Sequence, residues 1–319
     1  MSAVPTTLRA GRRLGGRFGD TTLYAVTAAA SLGAIALLVA IAFKLVDGSS
    51  LAFSKFGLGF ITGRVWDPVK NQFGALDFIF GTAVTSFIAL LIAAPLAIGI
   101  ALYLTELAPR FLRDVIGALV EMLAAIPSVV VGLWGILVLG PFVHDHLEPW
   151  LHSAFGFLPI FQGESSAAGI LPAALVLAIM TVPIVASVSR ELFLSVPEDL
   201  EEGALALGAT RWEMVRGVIL SYTRPGLVAA VILGLGRALG EAIAVTQVVG
   251  GALGIHWSLF STGDTLASRI AAQYQGAGTK LQTSSLIYLA TILLVISLIV
   301  NVIAQLIVRR FELQRTGGS

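Results

Sequence analysis

Cysteine is absent from this sequence, which excludes disulfides, thiolate metal sites and thiol nucleophiles. Lysine is nearly absent too. Only Lys44, Lys55, Lys70 and Lys280 occur, and they follow Phe43, Ser54, Val69 and Thr279. A phosphate-binding P-loop needs Gly-Lys ahead of Ser or Thr so that the lysine reaches the phosphates. No such loop can be drawn on this chain, so any ATP it depends on must be bound by another polypeptide. Charge of either sign is scarce, at 12% of residues, and the net charge of +1 gives no signal for a nucleic-acid partner.

What fills the space is apolar. With 56% hydrophobic residues and a mean hydropathy of +0.90, the 319 residues are too apolar to cover the surface of a soluble domain. Six runs reach the roughly 20 residues that span a bilayer: about Thr22 to Val46, Leu76 to Leu104, Val115 to Val143, Ala167 to Ser189, Gly226 to Gly250 and Ser285 to Val308. The first exceeds the apolar core of a cleavable signal peptide and reads as a retained anchor. The expected fold class is an all-α polytopic membrane protein with six transmembrane helices.

Arginine and lysine mark the cytoplasmic side. Six spans put both ends on one side, which carries Arg9, Arg12, Arg13, Arg17, Arg110, Arg113, Arg190, Arg211, Arg216, Arg224, Arg309, Arg310 and Arg315, against Lys44, Lys55, Arg64, Lys70, Arg269 and Lys280 opposite. Both termini are therefore expected in the cytoplasm of a bacterial inner membrane. The expected layout is a cytoplasmic arm over 1–20, a first span over 21–46, an outer loop over 47–75, a five-helix core over 76–308 and a tail over 309–319. The arginines of the arm suit anionic lipid or serve only as a topology signal.

Between the fourth and fifth runs lies a polar segment, 193–224, built for docking. Ser195 with Glu198, and Thr210 with Glu213, each read as a capping box that starts a helix. Gly208 ends the first, of roughly 12 residues, too short and too acidic to cross a bilayer. Glu198, Asp199, Glu201 and Glu202 complement its dipole. Leu200, Ala204 and Leu207 offer an apolar stripe to a partner or to the chain itself.

The fifth run contains Arg237 and Glu241 near its middle. On the insertion scale the two cost about 5 to 6 kcal/mol, which the run's Leu, Ile and Val residues nearly cancel with about 3 to 6 kcal/mol. Such a helix belongs among other helices or water, with its charges facing a pathway; the alternative is an i, i+4 pair that neutralises itself for packing. A guanidinium fork suits a tetrahedral oxyanion. Gly236 and Gly240 form a small-xxx-small pair, which predicts a close helix neighbour. Pro95, Pro127 and Pro183 fall inside spans, as kinks with or without a gating role.

Glu202-Gly203-Ala204-x-x-x-Gly208, set between spans four and five, resembles the Glu-Ala-Ala-x-x-x-Gly loop of the inner-membrane permeases of ATP-binding-cassette importers. Leu233-Gly-Leu-Gly-Arg-Ala-Leu-Gly-Glu-Ala-Ile-Ala-Val245 and Ala125-Ile-Pro-Ser-Val-Val-Val-Gly132 narrow the likeness to phosphate-importer permeases of the PstC type. Two departures stand out: Gly203 replaces the usual second alanine, and Ser221 stands where relatives carry proline. The resemblance implies a type I importer (MetI-like) permease fold. It implies a heterodimer with a PstA-type permease, two PstB-type ATPase subunits that bind ATP and magnesium, and a PstS-type phosphate-binding protein. It places Glu202, Gly203, Ala204 and Gly208 in the helix that couples to the ATPase, and Arg237 and Glu241 on the phosphate path, with no catalytic residue and no cofactor in this chain.

An ion-coupled oxyanion transporter would also place Arg and Glu in mid-membrane but would not need the docking segment. Permeases for sulfate, molybdate or phosphonate share the plan. An intramembrane enzyme could use Glu121, Arg237 and Glu241 for acid-base work, yet no nucleophile-base constellation accompanies them. On the outer side, His144, His146 and His152 with Asp145 and Glu148 read either as a metal site or as a solvated loop. Trp66, Trp150 and Trp257 are expected as interface anchors.

Overall fold

The computed structural model describes the backbone of residues 13–316 and the side chains of residues 19–309. Arg9 and Arg12 of the expected arm lie outside the described residues, as do the side chains of Arg13, Arg17, Arg310 and Arg315. Among the described residues, six helices are long and apolar enough to cross a membrane. The chain divides into two units, Met1–Asp47 and Gly48–Ser319. The described part of the first is helix only and belongs to α1 (Arg13–Phe56). Its apolar residues, among them Leu23, Leu32, Leu38 and Phe43, are exposed all around, as suits a helix solvated by lipid.

The second unit begins with the last turns of α1, which run on to Phe56, ten residues beyond the expected end of the span. The expected outer loop is ordered: α2 (Gly59–Thr62) leads into a hairpin of β1 (Trp66–Asp67) and β2 (Gln72–Phe73). Trp66 is no interface anchor. It is 5% exposed, packs edge-on against Phe73 and Phe78, and its indole N–H donates to Gln273 Oε1 at 2.8 Å, which satisfies the one polar group of a buried ring.

The remaining long helices are α3 (Leu76–Leu107), α5 (Ser128–Phe155), α6 (Ile170–Leu194), α8 (Arg211–Gly240) and α11 (Lys280–Thr316). Helix α6 is the centre. In its most apolar stretch 78% of residues are buried, against 28% or less in the other spans. Ala89, Ala93 and Ala97, spaced by four on α3, pack with Ala173, Leu177, Val182, Val185 and Ala186 of α6 and Ala230 of α8. With lipid no less apolar than leucine, close approach through small residues is what holds such helices together. Gly226 and Gly234 of α8 let that helix approach α6: a Cβ at Gly226 would lie 2.5 Å from Leu192, and one at Gly234 2.7 Å from Val185.

Two expected spans are corrected. The run Val115 to Val143 is not one helix. Helix α4 (Arg110–Ala125) stops where Ile126 turns extended, with ψ of 127°, because the ring of Pro127 disfavours helical geometry in the residue before it. The span restarts as α5 and continues to Phe155, so the segment His144–His152 is helical rather than a loop. The run Gly226 to Gly250 breaks as well. Helix α8 starts at Arg211 and ends at Gly240; Glu241 is extended, with ψ of 113°, and a short α9 (Ile243–Val248) follows. Pro95 and Pro183 do sit inside α3 and α6.

Candidate functional site

The polar segment between α6 and α8 folds into α7 (Glu198–Ala206), nine residues long where about 12 were expected. Its first capping box does not form. Pro197 occupies the N-cap and the Ser195 hydroxyl donates back to the Leu192 carbonyl at 2.7 Å, so Ser195 finishes α6 instead of starting α7. The N-cap proline has a fixed φ but no side-chain acceptor for the first amides, so α7 starts without a side-chain cap. The end of α7 is as expected. The amide of Ala209 bonds to the Ala204 carbonyl and that of Gly208 to Leu205, with Gly208 at φ +87°, the left-handed Schellman geometry that glycine adopts without strain. The second capping box is complete: Glu213 N–H donates to Thr210 Oγ1 at 3.3 Å and Thr210 N–H to Glu213 Oε2 at 2.8 Å.

Of the apolar stripe, only Ala204 turns inward. It packs on a cluster of Phe193, Val196, Met214, Val215 and Ile219, while Leu200 is 46% and Leu207 91% exposed. Gly203 has open space where a side chain would stand, so the departure from alanine costs no contact within this chain. The acidic face of α7 reaches the end of α3. Burial first, then repulsion from Glu106 and Glu198, holds the Glu201 carboxyl above the usual range. Arg211 spans the same gap, donating to the Glu106 carbonyl at 3.4 Å. The segment is thus an exposed acidic helix with three unburied leucines, Leu200, Leu205 and Leu207, clamped to the ends of α3, α6 and α8.

The second site is the break after α8. Arg237 Nη2 lies 3.3 Å from Glu241 Oε2, with the arginine side chain 47% exposed and the glutamate 7%. Glu241 Oε1 accepts from the Ala244 N–H at 3.2 Å. One carboxylate therefore caps the start of α9 and holds the guanidinium at the end of α8. The i, i+4 pair that the sequence offered as the alternative reading forms, but on a helix end and not in mid-helix. The guanidinium has no further partner among the described residues, so its outward donors remain available. Around it, Leu233, Gly236 and Gly240 form an open stripe at helical spacing, and nothing among the described residues lies within 4 Å of where a Cβ would stand at Gly236 or Gly240. The close helix neighbour expected at these two glycines is not supplied by the described residues; Gly226 and Gly234 take that role.

Glu121 does not join this pair. It faces Arg190 of α6, with Nη1 to Oε1 at 3.8 Å. No group of three or more His, Asp or Glu able to hold a metal ion occurs among the described residues, the histidines included. Instead His144 Nδ1 meets Ser165 Oγ at 2.5 Å, and Ser165 Oγ donates to Glu148 Oε2 at 2.5 Å, tying α5 to the segment ahead of α6. Trp150 and Trp257 are exposed as expected, at 59% and 72%.

Sequence reasoning missed a buried polar lock on the expected outer side. Arg269, taken as a surface cation, is 7% exposed. On α10 (Leu266–Gln273), its Nη2 lies 2.6 Å from Asp264 Oδ2 and 3.0 Å from the Gly251 carbonyl, and its guanidinium covers the Phe78 ring at 4.9 Å. Burial outweighs this partner and holds the Asp264 carboxyl above its usual range. Asp77 accepts from the Gly254 N–H at 2.6 Å, and a Cβ at Gly81 would sit 1.9 Å from the Asp264 carbonyl oxygen. The available signal was that four residues of opposite sign or no side chain, Asp77, Gly81, Asp264 and Arg269, interrupt otherwise apolar or polar-neutral stretches.

A central buried helix packed against α3, α4, α5 and α8, a short exposed helix between α6 and α8, and a broken helix with an ion pair are the architecture of a polytopic membrane permease. The chain belongs to the family of binding-protein-dependent transport system inner membrane components, whose model matches residues 93–313. It is 44% identical over 94% of its length, and 92% of the relative's, to the phosphate transport system permease protein PstC of Mesorhizobium japonicum. It is 45% identical to that of Haemophilus influenzae over 92% of this chain and 93% of the other. Among solved structures it resembles a permease chain of a bacterial alginate ABC transporter, with a TM-score of 0.58 at 20% identity over 93% and 99% of the two chains. It also resembles a chain of the inward-facing MetNI methionine ABC transporter, with 0.50 at 22% over 75% and 94%. These likenesses establish the MetI-like permease fold.

Proposed function

We propose that this chain is a permease subunit of an ATP-binding-cassette importer that moves inorganic phosphate inward across the bacterial cytoplasmic membrane. The observation that carries the reading is the agreement of PstC relatives over more than nine-tenths of both chains, joined to a helix, α7, that offers leucine and carboxylates outward. ATP is bound by a separate pair of PstB-type ATPase subunits, since no P-loop can be drawn here. Glu202, Gly203, Ala204 and Gly208 belong to the helix that enters the ATPase. A PstA-type permease covers the open Leu233, Gly236 and Gly240 face of α8, and a PstS-type receptor delivers phosphate from outside. Both termini are cytoplasmic, by the arginine bias.

Arg237 offers its outward donors to a passing phosphate, a charge-assisted contact. Glu241 orients that guanidinium and accepts from the phosphate's remaining proton; sulfate carries no such proton at neutral pH and is repelled by the carboxylate. In the complex assembled with its partners, Arg237→Ala is expected to lower phosphate uptake about tenfold or more, the worth of one charge-assisted bond. Glu241→Gln is expected to narrow the preference for phosphate over sulfate. Uptake by vesicles checks both, and normal transport with unchanged selectivity in the two variants rejects the assignment.

A further inference from the structure

One polar stripe lies apart from the docking helix and the broken helix. Asn301, Gln305 and Arg309 recur every four residues on α11, which stacks them on one face. Together with Ala304 and Val308 of the same helix they line a cavity of about 340 Å³ whose opposite wall is Ala229 and Ile232 of α8. The Asn301 amide bonds only back to its own helix, to the Ser297 carbonyl at 2.9 Å. Gln305 and Arg309 have no bonding partner among the described residues. The flanking residues of the helix, Leu298, Val302 and Leu306, are more than half exposed, so the groove opens sideways into hydrocarbon rather than into a water-filled path. Polar side chains at such a place are expensive unless something polar meets them.

We propose that this groove is a binding site for an anionic phospholipid of the leaflet at the arginine-rich end of the protein. Arg309 takes the headgroup phosphate as a charge-assisted donor. Gln305 and Asn301, one and two turns deeper, meet the glycerol and ester oxygens, and an acyl chain lies over the small surface of Ala229 and Ala304. The succession from cation through amides to alkyl surface matches a phospholipid read from headgroup to tail. A free phosphate ion would leave the amides and the apolar floor uncovered. An anionic headgroup is favoured over a zwitterionic one because the latter brings its own ammonium against Arg309. That this leaflet is cytoplasmic rests on the topology proposed above; the site itself does not depend on which solute is carried.

The test uses the assembled transporter in nanodiscs of phosphatidylcholine doped with phosphatidylglycerol, with retained lipid counted by native mass spectrometry. The wild-type complex should keep phosphatidylglycerol in preference to phosphatidylcholine. Arg309→Gln should lower that retention about fivefold, the effect of one basic side chain at an anionic membrane surface. Ala229→Phe, at an exposed position, should expel the lipid by filling the floor without changing charge, while Arg110→Gln on α4 should leave it bound. Equal losses from Arg110→Gln and Arg309→Gln would mean diffuse surface attraction and overturn the site. Full retention in Ala229→Phe would do the same, as would a crosslink from Arg309→Cys to the second permease in place of lipid. Phosphate uptake measured in parallel keeps the outcome separate from the transport reading.

Discussion

At the scale of single residues, the chain spends its few charges in two ways. Arg237 keeps nearly half its side chain exposed beside a buried glutamate, a geometry that holds a cation in place while leaving it able to donate. Arg269 is spent inward, on Asp264, the Gly251 carbonyl and the Phe78 ring. Removing one partner of a buried pair strands the other charge, so Asp264→Asn should destabilise the protein by about 3 to 5 kcal/mol. Replacing Asp264 and Arg269 together by Leu should cost much less than the two single changes summed. A double-mutant cycle on thermal unfolding of the purified complex measures this, and additive losses would show that the two are not coupled. Both arginines are isolated cations in the sequence; which one faces inward depends on Phe78 and Gly81, nearly two hundred residues away.

At the scale of elements, proline and glycine decide where helices stop, and they do so through their own backbone. Pro127 divides α4 from α5 by forcing Ile126 extended, and Pro197 replaces a hydroxyl cap at the start of α7. The run of apolar residues across Pro127 is unbroken, which is why periodicity joins two helices there. Gly208 works by conformation. At φ +87° with open space around it, it closes α7 by two backbone bonds that a β-branched residue would strain, so Gly208→Val should cost the element about 1 to 2 kcal/mol. The expected readout is weakened stimulation of ATP hydrolysis by loaded receptor, with the basal rate of the ATPase subunits retained. Full stimulation in that variant would show that the shape of this turn does not matter to coupling.

At the scale of the whole molecule, the chain buries one helix well and leaves most of its apolar surface open. Apart from α6, no span is more than 28% buried in its most apolar stretch, and the stripe around Arg237 is uncovered. On the proposed function, lipid and a second permease supply its remaining contacts. On the same reading its motion is driven by the separate ATPase subunits. Vesicles holding this chain alone are expected to show no uphill phosphate movement under a proton or sodium gradient, whereas those holding the full assembly accumulate phosphate when ATP is enclosed with the ATPase subunits. Gradient-driven accumulation by the single chain would favour a secondary transporter.

The membrane class, the number of spans and a short helix between the fourth and fifth spans with its glycine end could all be read from the sequence, and the Arg237–Glu241 pair was one of two readings it left open. Each is set by local composition, by helical spacing or by a turn residue acting within a few positions. Tertiary structure alone decided that α8 ends at Gly240, that the segment around His144 is helical and bound through Ser165, and that Trp66 and Arg269 are buried. It also decided that Gly226 and Gly234, rather than Gly236 and Gly240, receive a neighbouring helix. The reason is physical: in a chain this apolar, hydropathy marks every face of a helix alike, and only the packing of small residues against α6 determines which faces meet protein and which meet lipid or a partner.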